Sequence, residues 1–340
     1  MVPILLAAGF VLSQAPSGQV AFLQQLSEDQ RRVAIVDIGT QHVSVLGAGP
    51  WDGAPTWSPN GSKLAYPARD GEKTLIRVVG AEGTQGPTIP HTRKHNEYPA
   101  WSPDGSKLAY SGTDGGPHAV YVFDFASGVE TQWGKPASDE GSAASISMIR
   151  PAWRSSDDIF AVGLRDEKDG RMADLYELGA TSITVRAEER GKGVYVEWSP
   201  TVHHKTEMLA YESNDGGDRE IFVSGPRRPV ADVSNHREAD WNPVWSPDGE
   251  WIAFESFRDG PRGIYKVTPQ RTVVTPIAVD AASSNWSPSW SPEGKWIAFV
   301  STRTGKPALH ICRDDGTEIR AVTSHDAIEL APAWRPAKSK

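Results

Sequence analysis

A tryptophan returns along this chain at nearly constant intervals, at Trp57, Trp101, Trp153, Trp198, Trp245, Trp290 and Trp334, usually inside a phrase of the form x-P-x-W-S-P-D-G. The gaps are 44, 52, 45, 47, 45 and 44 residues, close to the roughly 40 to 50 residues of a β-propeller blade. Such a period fixes the architecture well before any motif does. It leaves function open, because propellers carry many unrelated activities in sites grafted onto one scaffold.

Each unit repeats the same local chemistry. Ser102-Pro103-Asp104-Gly105 has Pro at the second and Gly at the fourth position of a type I turn, where both are favoured. Nine residues past most of the tryptophans an apolar run ends, as in Leu64-Ala65-Tyr66, Leu108-Ala109-Tyr110, Ile252-Ala253-Phe254 and Ile297-Ala298-Phe299. A second reversal follows at Asp114-Gly115, Asp215-Gly216, Asp259-Gly260 and Thr304-Gly305. Third runs such as Val120-Tyr121-Val122 and weaker fourth runs such as Val230-Ala231-Asp232-Val233 complete the unit. Turn-bounded runs of this composition predict an antiparallel meander of four strands, innermost first.

The two ends set the blade count. Trp334 lies in an innermost-strand phrase with only a few residues after it, whereas Val20-Ala21-Phe22, Val33-Ala34-Ile35-Val36 and Val43-Ser44-Val45-Leu46 match second, third and fourth strands. The fold class expected is all-β: a propeller of seven four-stranded blades, with six as the alternative, its ring closed by the N-terminal strands pairing with the C-terminal innermost strand. Closure of this kind removes an exposed sheet edge. Two units depart from the pattern. Trp153-Arg154-Ser155-Ser156-Asp157 lacks the turn Pro and Gly, and the unit of Trp198 carries what reads as a longer first hairpin, Pro200 to Glu207. Gly134 to Met148 is a Ser/Ala/Gly-rich connection and a candidate binding loop, since loops carry variable function.

With 340 residues, one repeat system and no internal linker, residues 16–340 are expected to form a single domain. The formal charge of −8 argues against a nucleic-acid or anionic-membrane binder, which needs a basic footprint. Residues 2–12 are almost wholly apolar and Ser13-Gln14-Ala15 supplies small residues before a cut, so residues 1–15 read as a secretory signal peptide, too short for a transmembrane helix, although no Lys or Arg opens it. The mature protein is then periplasmic or secreted and is expected to be a monomer. The single cysteine, Cys312, falls in a third strand and reads as a small buried side chain.

The phrase W-S-P-D-G-x-x-(I/L)-A-(F/Y), nearly intact at Trp101 to Tyr110, Trp245 to Phe254 and, with Glu293 in place of Asp, Trp290 to Phe299, resembles the TolB-like (WD40-like) propeller repeat. The resemblance extends from Val20 to Pro336. It implies an exported propeller that binds an envelope or extracellular protein or peptide. The family's namesake has an α/β domain ahead of a six-bladed propeller. Nothing long enough for that domain precedes Val20, so its Tol-Pal role is not carried over.

Five residues before the tryptophans stand Asp52, Asn96, Met148, Gly193, Asp240, Asn285 and Glu329, five of them carboxylate or amide. If innermost strands begin there, these side chains form a polar ring near one channel mouth. With Glu97, Trp241 and Trp286 they make the candidate ligand site: Asp52, Asn96, Glu97, Asp240, Trp241, Asn285, Trp286 and Glu329. The competing reading has them satisfying backbone groups in the turn that enters the strand. Trp51, Trp133, Trp241 and Trp286 stand outside the repeat position and are candidate contact residues, since large aromatics dominate interfaces. His91, His236 and His325 fall nine or ten residues before tryptophans, and His203-His204 lie together, but spacing alone does not make three ligands converge.

No G-x-S-x-G elbow, P-loop, dinucleotide fingerprint, H-E-x-x-H or paired C-x-x-C occurs. The expected function is therefore a non-catalytic scaffold with no metal or cofactor. The alternative is a channel-site enzyme, a metal-assisted lyase or hydrolase acting on carbohydrate.

Overall fold

A computed structural model describes residues 16–47, 49–134, 146–167, 170–185, 197–214, 217–226, 228–270, 273–323 and 327–337. The proposed leader, most of the Gly134 to Met148 connection, Gly193, Asp215-Gly216 and His325 lie outside them. Among the described residues every regular element is a β-strand.

The strands form consecutive antiparallel meanders. The first strands of the units are Thr56–Trp57, His95–Trp101, Ser147–Trp153, Glu197–His203, Asp240–Trp245, Asn285–Trp290 and Ile328–Trp334. The last of these pairs with Gln19–Gln25, which pairs with Arg31–Asp37 and then Val43–Val45, so the two ends of the chain share one sheet as expected. The turn chemistry is also as expected. Gly105 N donates to Ser102 O at 2.9 Å, and Gly105 adopts φ 71°, which Gly alone reaches without cost.

The first unit departs from the four-strand rule. It has three strands, Thr56–Trp57, Lys63–Asp70 and Lys73–Gly80, and joins the second unit in one seven-stranded sheet through a parallel bridge between Thr74 and His95. The outer edge of Lys73–Gly80 is covered by irregular chain. Thr84 O accepts from Gly80 N at 2.8 Å, Lys94 O accepts from Thr74 N at 2.9 Å, and the His91 ring Nε2 stands 3.0 Å from Ile76 N. An imidazole thus replaces one rung of the missing strand.

The tryptophan in the fourth unit is a correction. Register pairs Trp198 with Glu212 and Val202 with Leu209, just as Trp241 pairs with Glu255 and Trp245 with Ile252. Val202 therefore holds the repeat position and Trp198 stands four residues ahead of it. The W-S-P of Trp198-Ser199-Pro200 imitates the turn phrase, but Pro200 is the strand proline, equivalent to Pro243. The hairpin after Val202 is consequently no longer than that of the fifth unit.

Seven apolar clusters lie between successive units. Each is filled from the second and third strands of two neighbours, and one joins Trp296, Ala298, Leu309 and Ile311 of the sixth unit to Val20, Phe22, Ala34 and Val36 of the terminal sheet. The repeat tryptophans sit in six of these clusters at 2–7 % exposure. Five donate their indole N–H to the first strand of the preceding unit: Trp57 to Ala333 O (3.0 Å), Trp101 to Thr56 O (3.2 Å), Trp153 to Ala100 O (2.9 Å), Trp245 to Thr201 O (3.2 Å) and Trp290 to Val244 O (3.2 Å). A buried indole needs such an acceptor. Trp334 Nε1 has none among the described residues. Trp133, expected as a contact residue, belongs to this core, 6 % exposed and edge-on to Trp153 at 5.4 Å. Cys312 is fully buried, and burial pushes its thiol up to about 12.

Trp245→Phe keeps most of the apolar volume but leaves Thr201 O without its donor. We expect a loss of about 1–3 kcal/mol in urea unfolding. Trp334→Phe, which breaks no hydrogen bond, should lose distinctly less.

Candidate functional site: the channel and its joints

The first strands, Ile328–Trp334 excepted, line a cavity of about 400 Å³. Each of six carries a bulge, and in each the bulged residue precedes a proline: Tyr98-Pro99, Arg150-Pro151, Ser199-Pro200, Asn242-Pro243, Ser287-Pro288 and Ala331-Pro332. These six residues have φ between 48° and 55°. A non-glycine residue in this region costs about 1–3 kcal/mol, and a following proline disfavours helical backbone further. The bulge bends the strand and re-aims the side chain. Five of the six residues, Ala331 excepted, line the cavity.

Two buried glutamates support this backbone. Asn242 N donates to Glu212 at 2.9 Å and Ser287 N donates to Glu255 at 2.8 Å, while Asn242 Nδ2 also reaches Glu255 at 2.8 Å. Arg219 and Arg262 balance the two carboxylates at 3.2 and 2.7 Å. Burial raises the Glu255 pKa, against the opposing pull of Arg262. Neither glutamate belongs to the expected site, yet each leaves a signal: an acid that closes an apolar run in Leu209-Ala210-Tyr211-Glu212 and Ile252-Ala253-Phe254-Glu255.

The expected polar ring is placed differently from its expectation. Asp52, Asn96, Asp240 and Asn285 are fully buried and Glu329 is 1 % exposed, so these five do not line the mouth. They stitch each first strand to the preceding unit. Asp52 Oδ2 accepts from Val33 N at 3.0 Å, Glu329 Oε2 accepts from Leu309 N at 2.8 Å, and Asn96 Nδ2 donates to Thr74 O at 3.0 Å. The backbone N–H groups of Asp52, Asp240, Asn285 and Glu329 donate to Arg31, Arg219, Arg262 and Pro307 carbonyls at 2.7–3.0 Å. Satisfying backbone groups is the usual local work of short polar side chains, and it governs here. The corrected register gives Glu197, not Gly193, the equivalent place in the fourth unit.

Glu97, Trp241 and Trp286, by contrast, remain half-exposed, and none of them lines the cavity. Trp241 lies edge-on to Phe257 at 5.1 Å with the Arg262 guanidinium 5.2 Å from its ring. Arg31 covers the Trp51 ring at 4.2 Å. The described histidines His91, His203 and His236 do not form a metal-holding group. His91 caps the first unit, and His203 is buried beside Thr206 at 2.9 Å and Trp245 at 5.7 Å. Among the described residues no group of three His, Cys, Asp or Glu side chains is disposed to hold a metal ion.

The joints hold carboxyls with displaced acidity. Burial lifts Asp52 to about 6, opposed by the Val33 N–H and the Arg77 charge. Burial and the neighbouring Asp240 carboxyl lift Glu220 to about 8, although Ser234 Oγ and His236 N donate to it at 2.5 and 2.9 Å. Asp240, paired with Arg258 at 2.7 Å, is also raised, chiefly by burial. Two carboxyls this close hold one proton between them.

The comparisons with known proteins follow this geometry. Residues 185–340 match the family model described as the TolB beta propeller domain. The Tol-Pal system protein TolB of Methylococcus capsulatus (strain ATCC 33009 / NCIMB 11132 / Bath) is 39 % identical over 49 residues, a segment covering 14 % of this chain and 12 % of that protein. Among solved structures, TolB from Acinetobacter baumannii superimposes with a TM-score of 0.60 at 16 % identity, over 94 % of this chain and 67 % of its own. The β-propeller domain of the Trilobed protease from Pyrococcus furiosus gives 0.68 at 16 % identity, over 92 % and 96 %. The architecture is that of a β-propeller. Within that class, residues 185–340 are similar to the TolB beta propeller domain. No helix among the described residues is long and apolar enough to cross a membrane.

A carboxyl whose folded pKa is raised binds more protons folded than unfolded, so stability falls as pH rises from its unfolded value toward its folded one. For Glu220 that window runs from its ordinary value near 4.5 to about 8. Between pH 6.5 and 8.5 the urea midpoint of the wild type should fall relative to that of Glu220→Gln. Both proteins carry the same histidines, so the difference between them isolates the carboxyl.

Proposed function

We propose that this chain is an exported scaffold of the cell envelope, a seven-bladed propeller with a closed ring, that receives a protein or peptide segment at the mouth of its central channel. The observation that carries this reading is the cavity itself: concave, framed by prolines and strained backbone, and carrying Tyr98 at 37 % exposure on its wall. Pre-formed concave sites with a few convergent polar groups are where ligands bind. Six prolines along the wall fix its shape before any ligand arrives, which lowers the ordering cost of binding.

Seven inter-unit clusters and the shared terminal sheet support the blade number and the closure. The apolar segment of residues 2–12 supports export. The similarity to proteins named for the Tol-Pal system supports an envelope setting and a binding role. Of the residues expected at the mouth, Glu97, Trp241 and Trp286 stay in the proposed surface, joined by Tyr98, Arg150 and Asn242.

Affinity capture from envelope extract with the chain from Pro16, beside Tyr98→Ala and Trp241→Ala, tests the reading. The wild type should retain a protein whose purified form binds at least tenfold more weakly to each variant. Retention that neither variant changes would move the contact elsewhere, and no specific retention would overturn the scaffold reading.

A further inference from the structure

The cavity is lined by prolines, hydroxyls, an amide and a single charged side chain, Arg150. Its guanidinium lies between two aromatic rings of neighbouring first strands, 5.2 Å from the Tyr98 ring and 5.1 Å from the Trp198 ring. No carboxylate among the described residues comes within ion-pairing distance of it, although ten other arginines make such pairs. Its Nε is buried with no hydrogen-bond acceptor. In a chain with a formal charge of −8, a guanidinium left without a counter-charge on the wall of a concave cavity is a marked exception.

The chemistry of that group specifies what it takes. A guanidinium presents its N–H donors in a planar fork that matches the two oxygens of a carboxylate. Flanking aromatic faces hold the plane in place by cation–π attraction without using any of those donors. Burial of Nε raises the cost of leaving it unsatisfied. The Tyr98 and Ser287 side chains line the same space and carry hydroxyls that can act as neutral donors. We propose that the segment entering the channel presents a carboxylate to Arg150, with Tyr98 and Trp198 fixing the guanidinium plane. This rests on the channel-docking reading and adds the chemistry of its ligand.

Two carboxylate sources share this chemistry, an Asp or Glu side chain and a free C-terminus, and the test separates them. The chain from Pro16 is used to select from a pooled heptapeptide library with free C-termini and from the same library amidated. Enriched peptides are resynthesised with Asp→Asn, Glu→Gln or amidation, and their affinities measured against wild type, Arg150→Gln and Arg150→Lys. The expected result is enrichment for acidic residues, or enrichment only in the free-terminus pool, with at least a tenfold loss on neutralising the peptide or on Arg150→Gln. Arg150→Lys, which keeps the charge and loses the fork, should fall between. The substitutions on the peptide need no altered protein, so a poorly folded variant does not decide the outcome. Neutral peptides bound equally by wild type and Arg150→Gln, yet lost in Tyr98→Ala, would overturn the carboxylate and leave the channel reading standing. Enrichment of no peptide from either pool would overturn both.

Discussion

Five of the seven described joints are organised around one contact, the donation of a buried indole N–H to a carbonyl in the first strand of the unit before it. The acceptor always lies one residue ahead of that unit's own repeat position, so the hydrogen bonds run Trp57 to Ala333, Trp101 to Thr56, Trp153 to Ala100, Trp245 to Thr201 and Trp290 to Val244. A large apolar ring that also needs one fixed acceptor sets both the separation and the rotation of its neighbour, which packing alone does not do. The interruption is informative. Val202 packs against the cluster between the third and fourth units with no indole N–H to offer, and Trp198, four residues ahead, packs against the same cluster with the Arg150 guanidinium 5.1 Å from its ring.

The buried carboxyls and amides form a second tier of the same joints. Five of the first strands are pinned to their predecessors at Asp52, Asn96, Asp240, Asn285 or Glu329, and of the residues immediately after these Glu97, Trp241 and Trp286 stay half-exposed. Glu212 and Glu255 then secure the unfavourable backbone of the next unit's bulge. The polar character of the wall is therefore a by-product of how the strands are held, and the ligand-facing groups are those the joints do not use.

The repeat spacing made most of this fold legible. Each x-P-x-W-S-P-D-G phrase encodes a strand proline, a core indole and a turn whose Gly has positive φ, and those are local rules with one physical solution. The wrong assignment of Trp198 has a local cause too: its W-S-P is identical to the repeat phrase, and only cross-strand register with Glu212 and Leu209 separates them. The ring of acids and amides was legible as a set but not in its direction. A strand start gives position, whereas whether the side chain meets the channel or the preceding sheet depends on the twist between units. Arg150 was illegible for the opposite reason, since a lone arginine in Met148-Ile149-Arg150-Pro151 carries no pattern until its neighbours on other strands are known.

The sheet that joins the two ends of the chain has a consequence for biosynthesis. Gln19–Gln25 is made long before its inner partner, Ile328–Trp334, and this pairing has the longest sequence separation among the described strands. Contacts of that kind form slowly, because the loop they close must be ordered before they reward it. During synthesis and any transfer across a membrane, Val20, Phe22 and their neighbours have no inner strand to pair with, which leaves an apolar edge open to wrong partners. This pairing acts as a clasp, and closing of the sheet waits on the synthesis of Ile328–Trp334.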